Sequence, residues 1–108
     1  MRYDVTITVG QNVGDLHKLD TPTICAAFVD MFGIEYYTAI ECAGMYRTMR
    51  EASTRIEICD VDASKVKAIR EGLPGLASSL DQECIALSIR ETAFQLVYAP
   101  EYSEEAHA

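Results

Sequence analysis

Basic clusters, long hydrophobic runs and reactive side-chain motifs are all scarce in this 108-residue sequence. Nine lysines and arginines stand against 17 aspartates and glutamates, and a nucleic-acid surface depends mainly on clustered positive charge. No apolar run approaches the roughly 18–20 residues that cross a bilayer. We therefore expect neither direct nucleic-acid binding nor a membrane span.

Signals for export, metal binding and disulfides are missing as well. The chain begins Met-Arg-Tyr-Asp and enters a strand pattern at once, without the apolar core of a signal peptide, which predicts a cytoplasmic protein. The four cysteines, Cys25, Cys42, Cys59 and Cys84, form no C-x-x-C pair and match no zinc-site spacing. We expect buried free thiols, no metal and no cofactor.

The histidines and the first loop offer little catalytic chemistry. Beyond Asp15 and Asp20, which lie near His17, neither His17 nor His107 has an acidic neighbour at a meaningful spacing, so we interpret both histidines as solvated. Residues 10–14 follow a strand and precede a helix, but they lack the spacings of a phosphate-binding loop. The sequence therefore predicts no catalytic residue.

Two hydrophobic periods do stand out. Residues 3–9 alternate strictly between apolar and polar, which is typical of a strand with one buried face. Residues 62–80 instead place apolar side chains at intervals of three and four, the stripe of a helix, at Val66, Ile69, Leu73, Leu76 and Leu80. Together they indicate helices packed on one face of a sheet.

The segment between these two patterns predicts a helix and a hairpin. Asp20 or Thr21 can cap a helix that has Pro22 in its first turn and Gly33 at its end. Strands follow at 35–43 and at 54–58, paired so that Ile40 lies near Ile58 and both strands turn their apolar side chains inward.

The last third of the chain predicts an interrupted helix and two strands. Gly72, Pro74 and Gly75 break the second helix, and we expect a kink or two shorter helices there. A strand at 83–90 follows, and a turn at 90–92 leads into a final strand at 93–99, carrying Phe94, Leu96 and Tyr98.

The order strand, helix, strand, strand, helix, strand resembles the ferredoxin-like α/β plait with an extra C-terminal strand. The resemblance implies an α+β fold, with a mostly antiparallel sheet and two helices on one face. We expect a single domain over residues 1–100 and a polar tail at 101–108. Dimers are common on this fold, so the resemblance also suggests a homodimer.

Two sets of residues are candidate binding sites. The sheet face away from the helices is expected to be weakly polar, and a site there would use Tyr37, Glu41, Glu57 and Cys59. The hairpin turn combines aromatic, methionine and arginine side chains, which are enriched at interfaces, in Met45, Tyr46, Arg47, Met49 and Arg50. We predict that this second set contacts a protein partner. The alternative is that Met45 and Tyr46 cover the edge of the core and that the arginines are solvated.

The net charge of −8 and the lack of catalytic clusters favour a non-enzymatic binding protein. Such a protein would act as an inhibitor or adaptor that docks an acidic surface on another macromolecule, for example an anti-defence inhibitor from a mobile element. The alternative is a small dimeric enzyme or ligand-binding protein with its site on the open sheet face.

Overall fold

A central strand organises the molecule, and its alternation is the one seen in the sequence. In the computed structural model, which describes residues 1–13, 17–46 and 49–102, the side chains of Val5, Ile7 and Val9 are buried. The elements are β1 (Arg2–Gly10), β2 (Asn12–Val13), β3 (His17–Lys18), α1 (Thr21–Phe32), β4 (Thr38–Tyr46), β5 (Met49–Asp62), α2 (Ala63–Ser79), β6 (Ala86–Glu91) and a 3₁₀ turn (Pro100–Tyr102).

Four of these strands form one antiparallel sheet in the order β4-β5-β1-β6. The short strands β2 and β3 pair with each other at the end of β1. Both helices pack on the face that carries the buried residues of β1 and β5. The predicted α+β class, with an antiparallel sheet and two helices on one face, is confirmed.

The caps of both helices follow from local sequence. Asp20 caps α1 by accepting a hydrogen bond from the Thr23 backbone at 2.9 Å, and Asp62 caps α2 through the Lys65 backbone at 2.8 Å. Gly33 ends α1 in the left-handed region with φ 61°, a conformation that glycine adopts without strain. Neither helix is long and apolar enough to cross a membrane within the described ranges.

The second helix is continuous through Pro74, so of the two expected alternatives, a kink or two shorter helices, the second is wrong. Proline removes one backbone hydrogen bond, the one to the carbonyl of Arg70. Arg70 and Pro74 are both exposed, and water can satisfy that carbonyl. Leu73, Leu76 and Ala77 are buried on either side of the proline, and their burial keeps the segment helical.

The register of the β4–β5 hairpin differs from the prediction, and as a result the side chains of β4 point to the opposite faces of the sheet from those expected. Ala39 pairs with Ile56 and Ile40 with Arg55, whereas we expected Ile40 beside Ile58. Tyr46 pairs with Met49, so the turn is shorter than expected, and turn length sets the register. Because an odd shift turns every side chain over, Ile40 lies on the open face and is 45% exposed.

The predicted strand at 93–99 is also absent. Residues 93–99 are exposed and belong to no helix or strand. The Thr92 amide donates to the carbonyl of Arg2 at 3.0 Å, which holds the chain alongside β1 beyond the end of β6. The turn expected at 90–92 therefore does not form.

Candidate functional site

A polar cluster lies beneath the start of α1, at one end of an otherwise apolar core. Gln11 follows β1, and its side-chain amide donates to the hydroxyl of Thr54 at 3.0 Å. The same amide reaches the Thr21 hydroxyl at 3.3 Å. Gln11 and Thr54 are buried. We call Gln11, Thr21, Glu41 and Thr54 the Gln11–Thr54 cluster.

Register explains why these four residues meet. Thr54 pairs with Val9 on one side and with Glu41 on the other, so all three side chains point towards the helices. Thr21 is the first residue of α1 and lies above this row. Four separate segments therefore bring one amide, two hydroxyls and one carboxylate together.

The hydrogen bonds of the cluster run in one direction. The Thr21 hydroxyl donates to Glu41 Oε1 at 3.0 Å, which uses its only proton. The contact of 2.8 Å between the two threonine hydroxyls is then donated by Thr54. Since Gln11 donates to Thr54, the whole series ends on the exposed carboxylate of Glu41.

A second carboxylate makes this end of the sheet more negative. Asp20 is exposed and directly precedes Thr21. Hydrogen bonds from Thr23 lower the pKa of Asp20, so that it is ionised at neutral pH. Asp20 and Glu41 together favour a ligand that carries positive charge or several hydroxyl donors.

A glycine allows close packing on the open side of the same strand end. A Cβ atom at Gly10 would overlap the carboxylate of Glu51. Oε1 of that carboxylate accepts a hydrogen bond from the backbone N–H of Asn12, with an N–O distance of 3.4 Å. The Gln82 side chain donates to the carbonyl of Asn12 at 2.9 Å. These contacts fix the backbone that positions Gln11.

The four residues predicted to form an open-face site do not meet. Glu57 and Cys59 lie on the open face, as expected. Glu41 lies on the helix side opposite Thr54, and Tyr37 precedes β4 and hydrogen-bonds to the Cys25 thiol of α1. The placement of Tyr37 and Glu41 on the open face was wrong, because the hairpin register is shifted by an odd number of residues.

The open face itself is shallow and carries both charges. A depression of about 230 Å³ is lined by Thr6, Thr8, Arg55, Glu57, Ala86, Leu87, Ser88 and Arg90. Nearby Cys59 and also Cys84 are exposed, contrary to the expectation of buried thiols. Burial raises the pKa of the Cys59 thiol, and the carboxylates of Asp4, Glu57 and Asp60 raise it further, which disfavours the thiolate.

Four of the five predicted contact-loop residues meet at the tip of the hairpin. The backbone of Met45 pairs with that of Arg50, and Tyr46 pairs with Met49. Arg47 lies outside the described residues. The grouping of this set at a turn follows from the pairing, and its role in partner binding stays a prediction.

No sequence pattern marks Gln11, Thr21 or Thr54 as part of a site, although Thr21 is a candidate helix cap. One signal was present, because Thr54 stands at an inward position of a strand that otherwise buries Ile56 and Ile58. The residues that hydrogen-bond to Thr54 are Gln11 and Thr21, which lie far from it in the chain, so no local sequence pattern links the three. In the described ranges, no three histidine, cysteine, aspartate or glutamate side chains are grouped closely enough to hold a metal ion.

Comparison with solved structures finds similar folds. The chain resembles a phage SAM lyase in complex with S-methyl-5′-thioadenosine, with a TM-score of 0.72 and 21% identity over 94% of this chain and 92% of the lyase. The apo state of a phage SAM lyase gives a TM-score of 0.70 and 20% identity, over 82% of this chain and 78% of that one.

A DUF3240 family protein from Shewanella baltica OS155 has the same fold at lower identity. It superimposes with a TM-score of 0.62 and 12% identity over 90% of this chain and 97% of its own. No protein-family model and no curated protein sequence matches the chain. The likeness is therefore one of fold.

Proposed function

We propose that this protein binds S-adenosylmethionine and cleaves it as a lyase, with S-methyl-5′-thioadenosine as one product. The observation that carries the proposal is the likeness to a phage SAM lyase bound to that thioether, which extends over nearly the whole of both chains. A phage relative in fold is also compatible with a role in the conflict between a mobile element and its host.

The chemistry of this substrate suits a site with few reactive groups. The bond between the sulfonium sulfur and the γ carbon of the amino-acid part breaks, and its electron pair stays on the sulfur, which leaves as a neutral thioether. The carboxylate of the same substrate molecule bonds to that carbon and closes a lactone, so the step needs no proton, water or nucleophile from the protein. Binding and orientation of the reacting chain then account for most of the catalysis. A carboxylate, an amide and two hydroxyls, as in the Gln11–Thr54 cluster, meet that need.

Glu41 is the group that we assign to substrate binding. Its carboxylate is exposed, and the Thr21 hydroxyl holds it in place at 3.0 Å. S-adenosylmethionine carries positive charge on its sulfonium and on its ammonium, and either charge is attracted to a carboxylate. The net charge of −8 increases the local concentration of such a cation around the protein.

The test is an assay for the thioether. Purified protein is incubated with S-adenosylmethionine, and S-methyl-5′-thioadenosine is measured over time by liquid chromatography and mass spectrometry, against a blank for spontaneous decay. We expect formation above the blank and a loss of about tenfold or more in Glu41→Gln, equivalent to ~1.4 kcal/mol of transition-state stabilisation.

Glu57→Gln is the matched control, because it removes a carboxylate from the open face instead. It should retain the activity of the unaltered protein. Production no faster than the blank would overturn the proposed activity. An equal loss of activity in Glu41→Gln and Glu57→Gln would show that the Gln11–Thr54 cluster is not the site of the reaction.

We propose a second candidate function, a non-enzymatic inhibitor or adaptor that docks its acidic surface on a basic partner. The excess of 17 acidic over nine basic residues supports it. Met45, Tyr46, Arg47, Met49 and Arg50 would add contacts at the hairpin turn. Proteins of both kinds suit a phage, and the two proposals differ in whether S-adenosylmethionine is consumed.

A further inference from the structure

Over the ranges that the structure describes, the sheet ends at β6 and no further strand covers that edge. Within the described residues, β6 pairs only with β1. The inward side chains Leu87 and Ile89 of β6 are half-buried, as is Ile85 just before the strand, unlike the inward side chains of the central strands. A groove of about 580 Å³ runs between this edge and α2, and Leu73 and Ala77 contribute to its wall. The edge has the apolar surface and the free backbone groups that an added strand would cover.

The segment that follows β6 has the pattern of such a strand. Residues 93–99 are all exposed, and we call them the C-terminal arm. Phe94, Leu96 and Tyr98 alternate with other residues, and each is between 44% and 63% exposed. The Cα radius of gyration is 16.3 Å, whereas a compact chain of this length has about 13 Å. The arm thus presents an apolar face that its own domain does not cover.

Local sequence disfavours a tight hairpin that would fold the arm back onto its own β6. A tight hairpin between residues 90 and 93 would need residues that accept positive φ, usually glycine, asparagine or aspartate. The sequence there is Arg90-Glu91-Thr92-Ala93. In addition, the Thr92 amide is hydrogen-bonded to the carbonyl of Arg2, which directs the chain onward along β1.

We propose that the arm of a second copy of this chain adds to β6 as a fifth, antiparallel strand. We give the added strand the same register that a hairpin within one chain would have, with residue 90 opposite residue 93. This register places Ile89 beside Phe94. It also places Leu87 beside Leu96 and Ile85 beside Tyr98. All three pairs then lie on the helix side, because Ile89 and Leu87 face the same way as Val5 and Ile7.

The area involved is sufficient for a stable contact. A fully buried aromatic side chain covers about 150–250 Å², so covering the exposed half of Phe94 and of Tyr98 adds roughly 100 Å² each. Phe94, Tyr98 and Leu96, together with the groove that receives them, therefore come to several hundred Å² for each exchanged arm. When two copies exchange arms, the total approaches the ~800 Å² per partner of a standard interface. Exchange of a segment whose connecting turn is too short is a known route to such pairs.

Position-specific cross-linking tests the register directly. The inferred pairing sets Ser88 opposite Gln95, at a separation that a disulfide can span. We would make Ser88→Cys with Gln95→Cys in a Cys59→Ser, Cys84→Ser background, which removes the two exposed native thiols. Ser88→Cys with Ala99→Cys is the matched control, since position 99 lies about 13 Å further along the strand.

Mild oxidation should give a covalent dimer on a non-reducing gel for the first pair and little for the control. A disulfide within one chain would overturn the proposal, because the arm would then pair with its own β6. The absence of any disulfide in the first pair, or equal dimer in both, would also overturn it.

A second measurement tests the association of two copies without any disulfide formation. We expect the unaltered full-length chain to have at least twice the mass of one copy by light scattering after size exclusion. Leu96→Asp should reduce that mass to one copy, because a carboxylate would enter the groove. Val97→Asp, on the opposite side of the arm, should leave the mass unchanged. A monomeric unaltered chain, or equal behaviour of the two variants, would contradict the inference.

Discussion

Gly72 allows the two helices to pack closely, and replacing it tests the packing of the core. A Cβ atom at Gly72 would lie 2.5 Å from Cε1 and 2.9 Å from Cζ of the Phe32 ring. Carbon atoms pack best at about 3.5–4.0 Å, so the ring would have to move by about 1 Å. Phe32 is buried, and its ring centroid lies 5.2 Å from that of Phe28, which leaves it little room.

Gly75 provides a control in the same helix. The nearest atom to a Cβ there is the terminal methyl of Met31 at 4.0 Å, an ordinary contact with an exposed side chain. Replacing glycine by alanine inside a helix stabilises it by about 0.5–1 kcal/mol. At Gly72 the same gain is opposed by overpacking, which typically costs ~1–3 kcal/mol. Gly72→Ala should therefore be ~1–3 kcal/mol less stable than Gly75→Ala.

Urea unfolding followed by far-ultraviolet circular dichroism measures the difference, provided that the slopes of the two transitions agree. A Phe32→Leu background offers a further check, since removal of the ring should turn Gly72→Ala into a stabilising change. If Gly72→Ala were as stable as Gly75→Ala in the presence of Phe32, the described contact between α1 and α2 would be wrong.

Two further predictions concern charge. Hydrogen bonds at the helix caps lower the pKa values of Asp20 and Asp62, so their stabilisation is present above the unfolded value of about 3.9 and is lost as the pH falls through the lower folded values. A variant with Asp20→Asn and Asp62→Asn keeps cap acceptors that do not titrate, and its melting temperature should fall less steeply than that of the unaltered protein below about pH 4; equal slopes would contradict the assignment. If the protein docks its acidic surface on a basic partner, a pull-down from host lysate should retain a stoichiometric protein partner at about 0.05 M salt. That partner should be released at about 0.5 M salt, because the ions screen the attraction between the two surfaces. Retained binding by a folded Arg47→Ala, Arg50→Ala variant would remove the hairpin turn from that interface.

The proposed lyase activity and the proposed arm exchange involve different residues, so they can be tested separately. The proposed cleavage of S-adenosylmethionine would depend on Glu41 and its hydroxyl partner Thr21, whereas the proposed arm exchange would depend on Leu96 and the edge of β6. Leu96→Asp therefore tests assembly without removing any group of the Gln11–Thr54 cluster. If that variant also lost lyase activity, the site would require the second copy for its completion.

Local patterns in the sequence determined the elements whose signals lie within a few residues. The alternation of Val5, Ile7 and Val9 predicts β1, because successive side chains of a strand point to opposite faces. Asp20 and Gly33 mark the ends of α1 through capping chemistry that involves only neighbouring backbone groups. The α+β class follows from the order of such elements.

Only the tertiary structure decided the features that depend on pairing between distant segments. The pairing between β4 and β5, which extends to Tyr46 and Met49, set the register of β4, and with it the side of the sheet to which Ile40 and Glu41 belong. Burial of the residues around Pro74 outweighed its helix-breaking tendency. The Gln11–Thr54 cluster joins four residues from distinct elements, and no sequence period records their convergence. Its existence follows from the packing of α1 across the end of the sheet.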